Sequence, residues 1–205
     1  RVLVFPDSLK SLGDFAFEND PHLEEVHIGA ALTDLDTGLL VGSDVLRALT
    51  VSPDNPVYSA ENNVLYAKQQ DGTHLVLSLA SNTFTEYSVR PGTAQIDEAA
   101  FKGHATLREV VVPEGVKAIG AQAFAGIHEL TDVALPDSLE EVSDAFAGTQ
   151  VETIEFGARI RTIEEAAFEG GLPVRMIVRG GVGGSFTSPE ETTPRYAASA
   201  FFGEG

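Results

Sequence analysis

Apolar residues fall in short bursts along this chain, and the bursts keep time. Aligned on an Ala-Phe pair, Phe101, Phe124, Phe146 and Phe168 follow one another at steps of 23, 22 and 22 residues. Phe17 precedes them, and Leu40 stands in the same place 23 residues after it. The phrase around the ring barely changes: "IDEAAFKG" at 96–103, "IGAQAFAG" at 119–126, "IEEAAFEG" at 163–170. Each unit opens on a proline-containing turn, as in "FPDSLKSLGDFAF", "VPEGVKAIGAQAF" and "LPDSLEEVSDAF". A second apolar set follows the ring, as in "LREVVVP" (107–113), "LTDVALP" (130–136) and "VETIEF" (151–156).

This pattern predicts one coil per unit. Val133 and Leu135 sit two apart, as inward residues of a strand do, and Leu130 points inward with them. Pro136 ends the strand, and Pro-Asp or Pro-Glu-Gly supplies the turn. Val116 and Ile119 open the return leg, and the Ala-Phe stretch packs a small residue and a ring against the next coil. A lone unit buries too little apolar surface to offset the entropy of ordering it. Stacked units share core and strand hydrogen bonds, so the period of 22–23 predicts a solenoid of the leucine-rich-repeat type. Its fold class is a right-handed coil of short strands with turns or short helical segments. Each phenylalanine is expected to be a rung of a core ladder.

Between Val51 and Val89 the beat stops. "DNPVYSAENNVLYAKQQDGTHLVLSLA" (54–80) carries two alternating apolar runs, "VLYA" and "LVLSLA", on either side of Asp71-Gly72, which predicts a β-hairpin inserted at about 52–88.

The Ala-Phe repeats, the strands and this insert together resemble the BspA-type leucine-rich-repeat family of bacterial surface proteins, over about residues 1–179. In that family a cysteine often follows the Ala-Phe by three residues. Here Asp20, His104, Ile127, Thr149 and Gly171 stand at or near that place, a departure that alters core filling while leaving the fold intact. The resemblance implies an exported or surface-displayed protein used in adhesion or partner binding, without catalysis, and it implies no particular ligand.

The two ends fit a longer array. "RVLVFP" aligns with "REVVVP" from Arg108, so Arg1 is expected to lie one residue into a strand. "RGGVGGSFTSPEETTP" (179–194) has the composition of a linker, and "ASAFFGEG" matches a degenerate final repeat as well as a frayed tail.

Charge narrows the partners. Asp and Glu number 31 against 13 Lys and Arg, for a formal charge of −18. Nucleic acid and anionic lipid are bound by neutralising phosphates with Lys and Arg, so neither is expected here. No apolar run approaches the roughly 18 residues a membrane span needs, so no membrane insertion by this stretch is expected. There are no cysteines, which removes disulfides, zinc-thiolate sites and thiol nucleophiles.

No motif announces catalysis. "LDTGL" (35–39) contains the Asp-Thr-Gly of aspartic proteases, but that chemistry needs two carboxylates sharing a proton, and this is a single copy in a repeat position. His22, His27, His74, His104 and His128 show no metal-ligand spacing, and His104 and His128 are expected to be solvent-facing turn residues. "GGVGGS" (180–185) lacks the Lys-Ser/Thr of a phosphate loop. The pairs Glu140-Glu141 and Glu164-Glu165 are expected to solvate repeat corners. No enzyme, cofactor or metal site is expected.

The outward residues of the stacked strands remain as the place to bind a partner. One expected column contains Glu25, Glu109, Asp132 and Thr153, and another His27, Val111, Ala134, Glu155 and Val178. An acidic column beside an apolar one suits a basic patch on a host or matrix protein, or a neutral glycan. Tyr58 and Tyr66 of the insert, with Tyr87 beyond it, offer either a second recognition surface or packing onto the solenoid. The chain is expected to act as a monomer. The rival expectation is a spacer within a longer surface protein.

Overall fold

A computed structural model describes residues 1–12, 20–35, 45–164, 166–170 and 175–179. The chain divides into two compact units, Arg1–Asn82 and Thr83 onward. Phe17, Leu40, Asp36 to Leu39 of the Asp-Thr-Gly stretch, Glu165, Gly171 and the 180–205 segment lie outside the described residues.

In the first unit the repeat strands are β1 (Val2–Val4), β3 (Glu25–Ile28) and β5 (Ala48–Val51), with β2 (Ser11–Leu12) and β4 (Asp34–Leu35) on the return leg. They pair in parallel at a constant offset of 23 residues: Val2 lies against Glu25, Glu25 against Ala48, and Ser11 against Asp34. The proline turn is a turn in fact, closed by Leu9 N–H donating to the Pro6 carbonyl over 3.0 Å. Val26, Ile28, Leu32, Leu35, Leu46 and Leu49 fill the interior.

The insert follows as β6 (Tyr58–Glu61), β7 (Val64–Gln69) and β8 (Gly72–Ser78). The expected hairpin is β7–β8, but a third strand joins it, so the insert is an antiparallel meander over 58–78 and not a hairpin over 52–88. Its missed turn is Asn62-Asn63. Both residues adopt positive φ, 51° and 60°, as the two-residue turn matching the strand twist requires, and asparagine tolerates this better than most residues. Val64, Leu65, Tyr66 and Ala67 are all buried, so β7 is covered on both faces. Asn55 ties the meander to the coils: its amide donates to the Gly29 and Leu32 carbonyls (both 2.8 Å) and accepts from the Val57 and Tyr58 N–H groups (2.9 and 2.7 Å).

The second unit resumes the period. Its outer leg comprises β9 (Glu86–Ser88), β11 (Glu109–Val111), β13 (Asp132–Ala134), β15 (Thr153–Phe156) and β17 (Arg175–Val178). Its return leg comprises β10 (Thr93–Ile96), β12 (Ala118–Ile119), β14 (Glu141–Val142) and β16 (Thr162–Ile163). The return strands form a continuous parallel ladder, with Gln95 against Ala118, Ala118 against Glu141 and Glu141 against Thr162. Because β9 already pairs with β11, residues 86–88 belong to the repeat and not to the insert.

The recurrent phrase has a physical cause at each letter. Phe101, Phe124, Phe146 and Phe168 stack in one column, centroid to centroid 5.1, 5.3 and 5.4 Å apart, with planes within 14° of parallel. That spacing sits just above the 4.8 Å between paired strands, so one ring fits each coil. The preceding alanine is small because its backbone must come close. The N–H of Phe101 donates to the carbonyl of Ala123 over 2.7 Å, and Phe124 and Phe146 repeat the bond to Ala145 and Ala167 at 2.8 Å. These coil-to-coil bonds also decide between the two expected forms of the corner. Among the described residues the Ala-Phe corners are turns and not short helical segments, because N–H groups such as those of Ala99 and Phe101, which a helix would use internally, are engaged by the neighbouring coil. Gly120 marks the same crowding: a Cβ there would lie 2.7 Å from the Glu98 nitrogen.

Candidate partner-binding faces

Alternation along the outer strands decides what each sheet offers. In β11 the pattern is Glu109 out, Val110 in, Val111 out; in β15 Thr153 and Glu155 point out while Ile154 and Phe156 are buried. Each strand therefore contributes two outward side chains, and register aligns them into rows.

On the first unit the rows are Val2–Glu25–Ala48 and Val4–His27–Thr50. Val2 and Val4 are the most exposed large apolar residues described, at 58% and 65%. Glu25 is neutralised within the face: the Arg47 guanidinium lies 3.5 Å from it and 2.7 Å from Glu24, and His27 Nε2 stands 3.7 Å from its carboxylate. His27 Nδ1 is also 2.5 Å from the Thr50 hydroxyl.

The second unit differs. Glu86, Glu109 and Asp132 stand side by side on β9, β11 and β13, with Ser88, Val111 and Ala134 forming the next row. All six are exposed. Asp132 accepts from the Thr131 hydroxyl (2.7 Å), and the nearby Arg108 is committed to Glu129 (3.0 Å). Among the described residues no ion pair or hydrogen bond reaches the side chain of Glu86 or Glu109. Like charges directly opposite on adjacent strands destabilise a sheet, so this row is carried at a cost. Glu86 was missed in the sequence because its repeat lacks the Ala-Phe pair and fell inside the presumed insert.

Other expected residues move. Thr153 and Glu155 lie on β15 opposite Arg175 and Ile177 of β17, and Glu155 pairs with Arg179. Val178 faces Phe156, so it does not continue the row of Glu155. Tyr58 and Tyr66 leave the candidate surface altogether, being 8% and 1% exposed. The Tyr58 hydroxyl accepts from Leu35 N–H (3.1 Å); burial pushes its pKa up, the bond from Leu35 opposes this, and Asp34 adds to it. Tyr87 is half-buried against Phe84 and Phe101, 4.9 and 5.4 Å away. His104 was expected at the surface, yet only 2% of it is exposed, with its ring 5.2 Å from Phe84 and 5.6 Å from Phe101. His128 is exposed and reaches the Gly148 carbonyl (3.0 Å). The two histidines differ by one place relative to their rings, and that single step turns one inward and the other outward. Glu140 pairs with Arg161 over 3.2 Å. Among the described residues no group of three or more His, Asp or Glu is arranged to hold a metal ion.

The description "BspA type leucine rich repeat region" matches residues 1–88 and 94–177, in six copies. The chain belongs to this BspA-type family. No curated protein is significantly similar to it. Among solved structures it is similar to a leucine-rich cell surface protein from Faecalibacterium prausnitzii, at 24% identity and a TM-score of 0.69 over 82% of this chain and 51% of that one. A leucine-rich-repeat protein from Eubacterium ventriosum gives 21% and 0.68 over 87% and 54%. The pneumococcal vaccine antigen PcpA gives 16% and 0.65 over 87% and 57%. The chain thus spans about half the length of these structures, and they establish its fold. The place three residues past the ring is a core position in this chain: His104, Ile127 and Thr149 are each at most 2% exposed there, and the Thr149 hydroxyl donates to the Phe146 carbonyl (2.9 Å).

Proposed function

We propose that this part of the protein is a non-catalytic binding scaffold, displayed at or exported from a bacterial surface, that engages a basic patch on a host or matrix protein through the outer strands of its second unit. The carboxylate row Glu86–Glu109–Asp132 supports this reading most directly. The first unit compensates its own Glu25 with Arg47, whereas the second leaves three adjacent carboxylates to repel one another. Departures from local stability rules concentrate where a protein meets something else. Strand spacing sets the three charges about 4.8 Å apart, and Val111 and Ala134 beside them give small apolar contact area. A neutral glycan fits less well, because sugar rings stack on exposed aromatic faces. Among the described residues every phenylalanine and tyrosine is buried or half-buried.

Panning the chain against arrays of matrix proteins and neutral glycans identifies the class. The double variant Glu109→Lys with Asp132→Lys is expected to weaken a protein hit at least tenfold and to remove most of its salt dependence. Unchanged affinity excludes the row as the contact surface. Failure to bind any array member favours the spacer reading.

A further inference from the structure

The turn between β7 and β8 holds chemistry that the binding reading does not use. Gln69 pairs with Gly72, leaving Gln70 and Asp71 as a two-residue loop, and Gly72 adopts φ 143°, open to glycine but strained for other residues. The Asp71 side chain is 66% exposed. Its Oδ1 lies 3.0 Å from Nε2 of His74, whose own side chain is 11% exposed and which is held on β8 opposite Ala67. An aspartate followed by glycine is open to attack on its side chain by the next backbone nitrogen, since glycine has no Cβ in the way.

We propose that Asp71-Gly72 is a site of spontaneous backbone rearrangement, in which Asp71 passes through a succinimide to isoaspartate with His74 as the proton donor. The Gly72 nitrogen bonds to Cγ of Asp71 and the Cγ–Oδ1 bond breaks. The departing oxygen takes one proton from the attacking amide and one from the protonated His74 imidazole, and leaves as water. Water then reopens the ring at the main-chain carbonyl, and the proton released returns to the imidazole. The sum is an isomerisation, requiring no oxidant, reductant or co-reactant beyond water. The product carries one additional main-chain carbon between Gln70 and Gly72. The tight loop can no longer close on the Gln69–Gly72 and Lys68–Thr73 pairs, and the contact of Asp71 with His74 is lost.

The test incubates the full chain at physiological temperature in mildly acidic and neutral buffer. Isoaspartate is read by enzymatic methyl transfer and located by peptide mapping, and the intermediate is read as the loss of one water mass. Isoaspartate accumulating at Asp71, and abolished in Asp71→Glu, is the expected result. His74→Gln keeps a hydrogen bond but has no proton to transfer, and is expected to slow accumulation by roughly a hundredfold, the lower end of what a positioned acid contributes. An equal rate in a folded His74→Gln variant overturns the role of His74. Should that variant not fold, the wild-type chain is compared with a free peptide of residues 68–75. A folded-state rate matching or exceeding the peptide's supports the proposal, and a rate tenfold or more below it overturns it.

Discussion

At the scale of single residues, a few buried polar groups fasten one segment to another. Asn55 satisfies four backbone groups of two separate segments with one amide. Asn55→Ala leaves all four without that partner, and a loss of about 4 kcal/mol is expected at roughly 1 kcal/mol each; urea midpoints of the two proteins measure it. Tyr58 makes the fold sensitive to alkali. Its folded pKa lies above the unfolded value because burial disfavours the phenolate. The protonated form is therefore bound more tightly by the native state, and its stabilisation is whole below about pH 10 and declines as pH rises through the folded pKa. Tyr58→Phe is expected to cost about 1 kcal/mol at neutral pH through the lost bond to Leu35, and to flatten the alkaline decline in a melting-temperature series. The sequence showed Tyr58 as a tyrosine in an insert and no more. Whether its ring points out or in depends on β6 pairing with β7, which in turn depends on Asn62-Asn63, a turn signal weaker than Asp-Gly.

Elements here are defined by their neighbours one period away. The four-ring column from Phe101 to Phe168 is the clearest instance, and it was legible because its chemistry repeats identically at a fixed step. Phe124, with a ring on each side, is expected to lose about 3–5 kcal/mol on truncation to alanine, while Phe124→Leu loses less; denaturant titration ranks them. Return strands such as Ala118–Ile119 are two residues long and were visible only as "AI" after a turn. The third insert strand was hidden because "YSAE" alternates too weakly to read as a strand alone. Rows on the outer face were half legible. Glu109 with Asp132 and Val111 with Ala134 follow from the 23-residue offset, whereas the step across the coil of Phe168 is 22, from Glu155 to Ile177, which is why the extrapolation from Glu155 to Val178 failed by one place.

Across the whole molecule, charge is the property with the longest reach. A formal charge of −18 on 205 residues opposes compaction through self-repulsion. Added sodium chloride screens that repulsion, so the melting temperature is expected to rise between low and near-physiological ionic strength, and calorimetry at both checks it; a fall would show that attractive pairs such as Arg47–Glu24 outweigh the repulsion. Pairing of each coil with the next, at offsets of 21 to 23 residues, also has a genetic corollary. Cutting out residues 118–140 would set Glu141 where Ala118 stood, beside Gln95, and Phe146 beside Phe101, with each later coil meeting its customary neighbour. Copies can thus be shed or duplicated by recombination between like phrases, making the number of coils, and with it the extent of displayed surface, a trait that inheritance can adjust in whole steps.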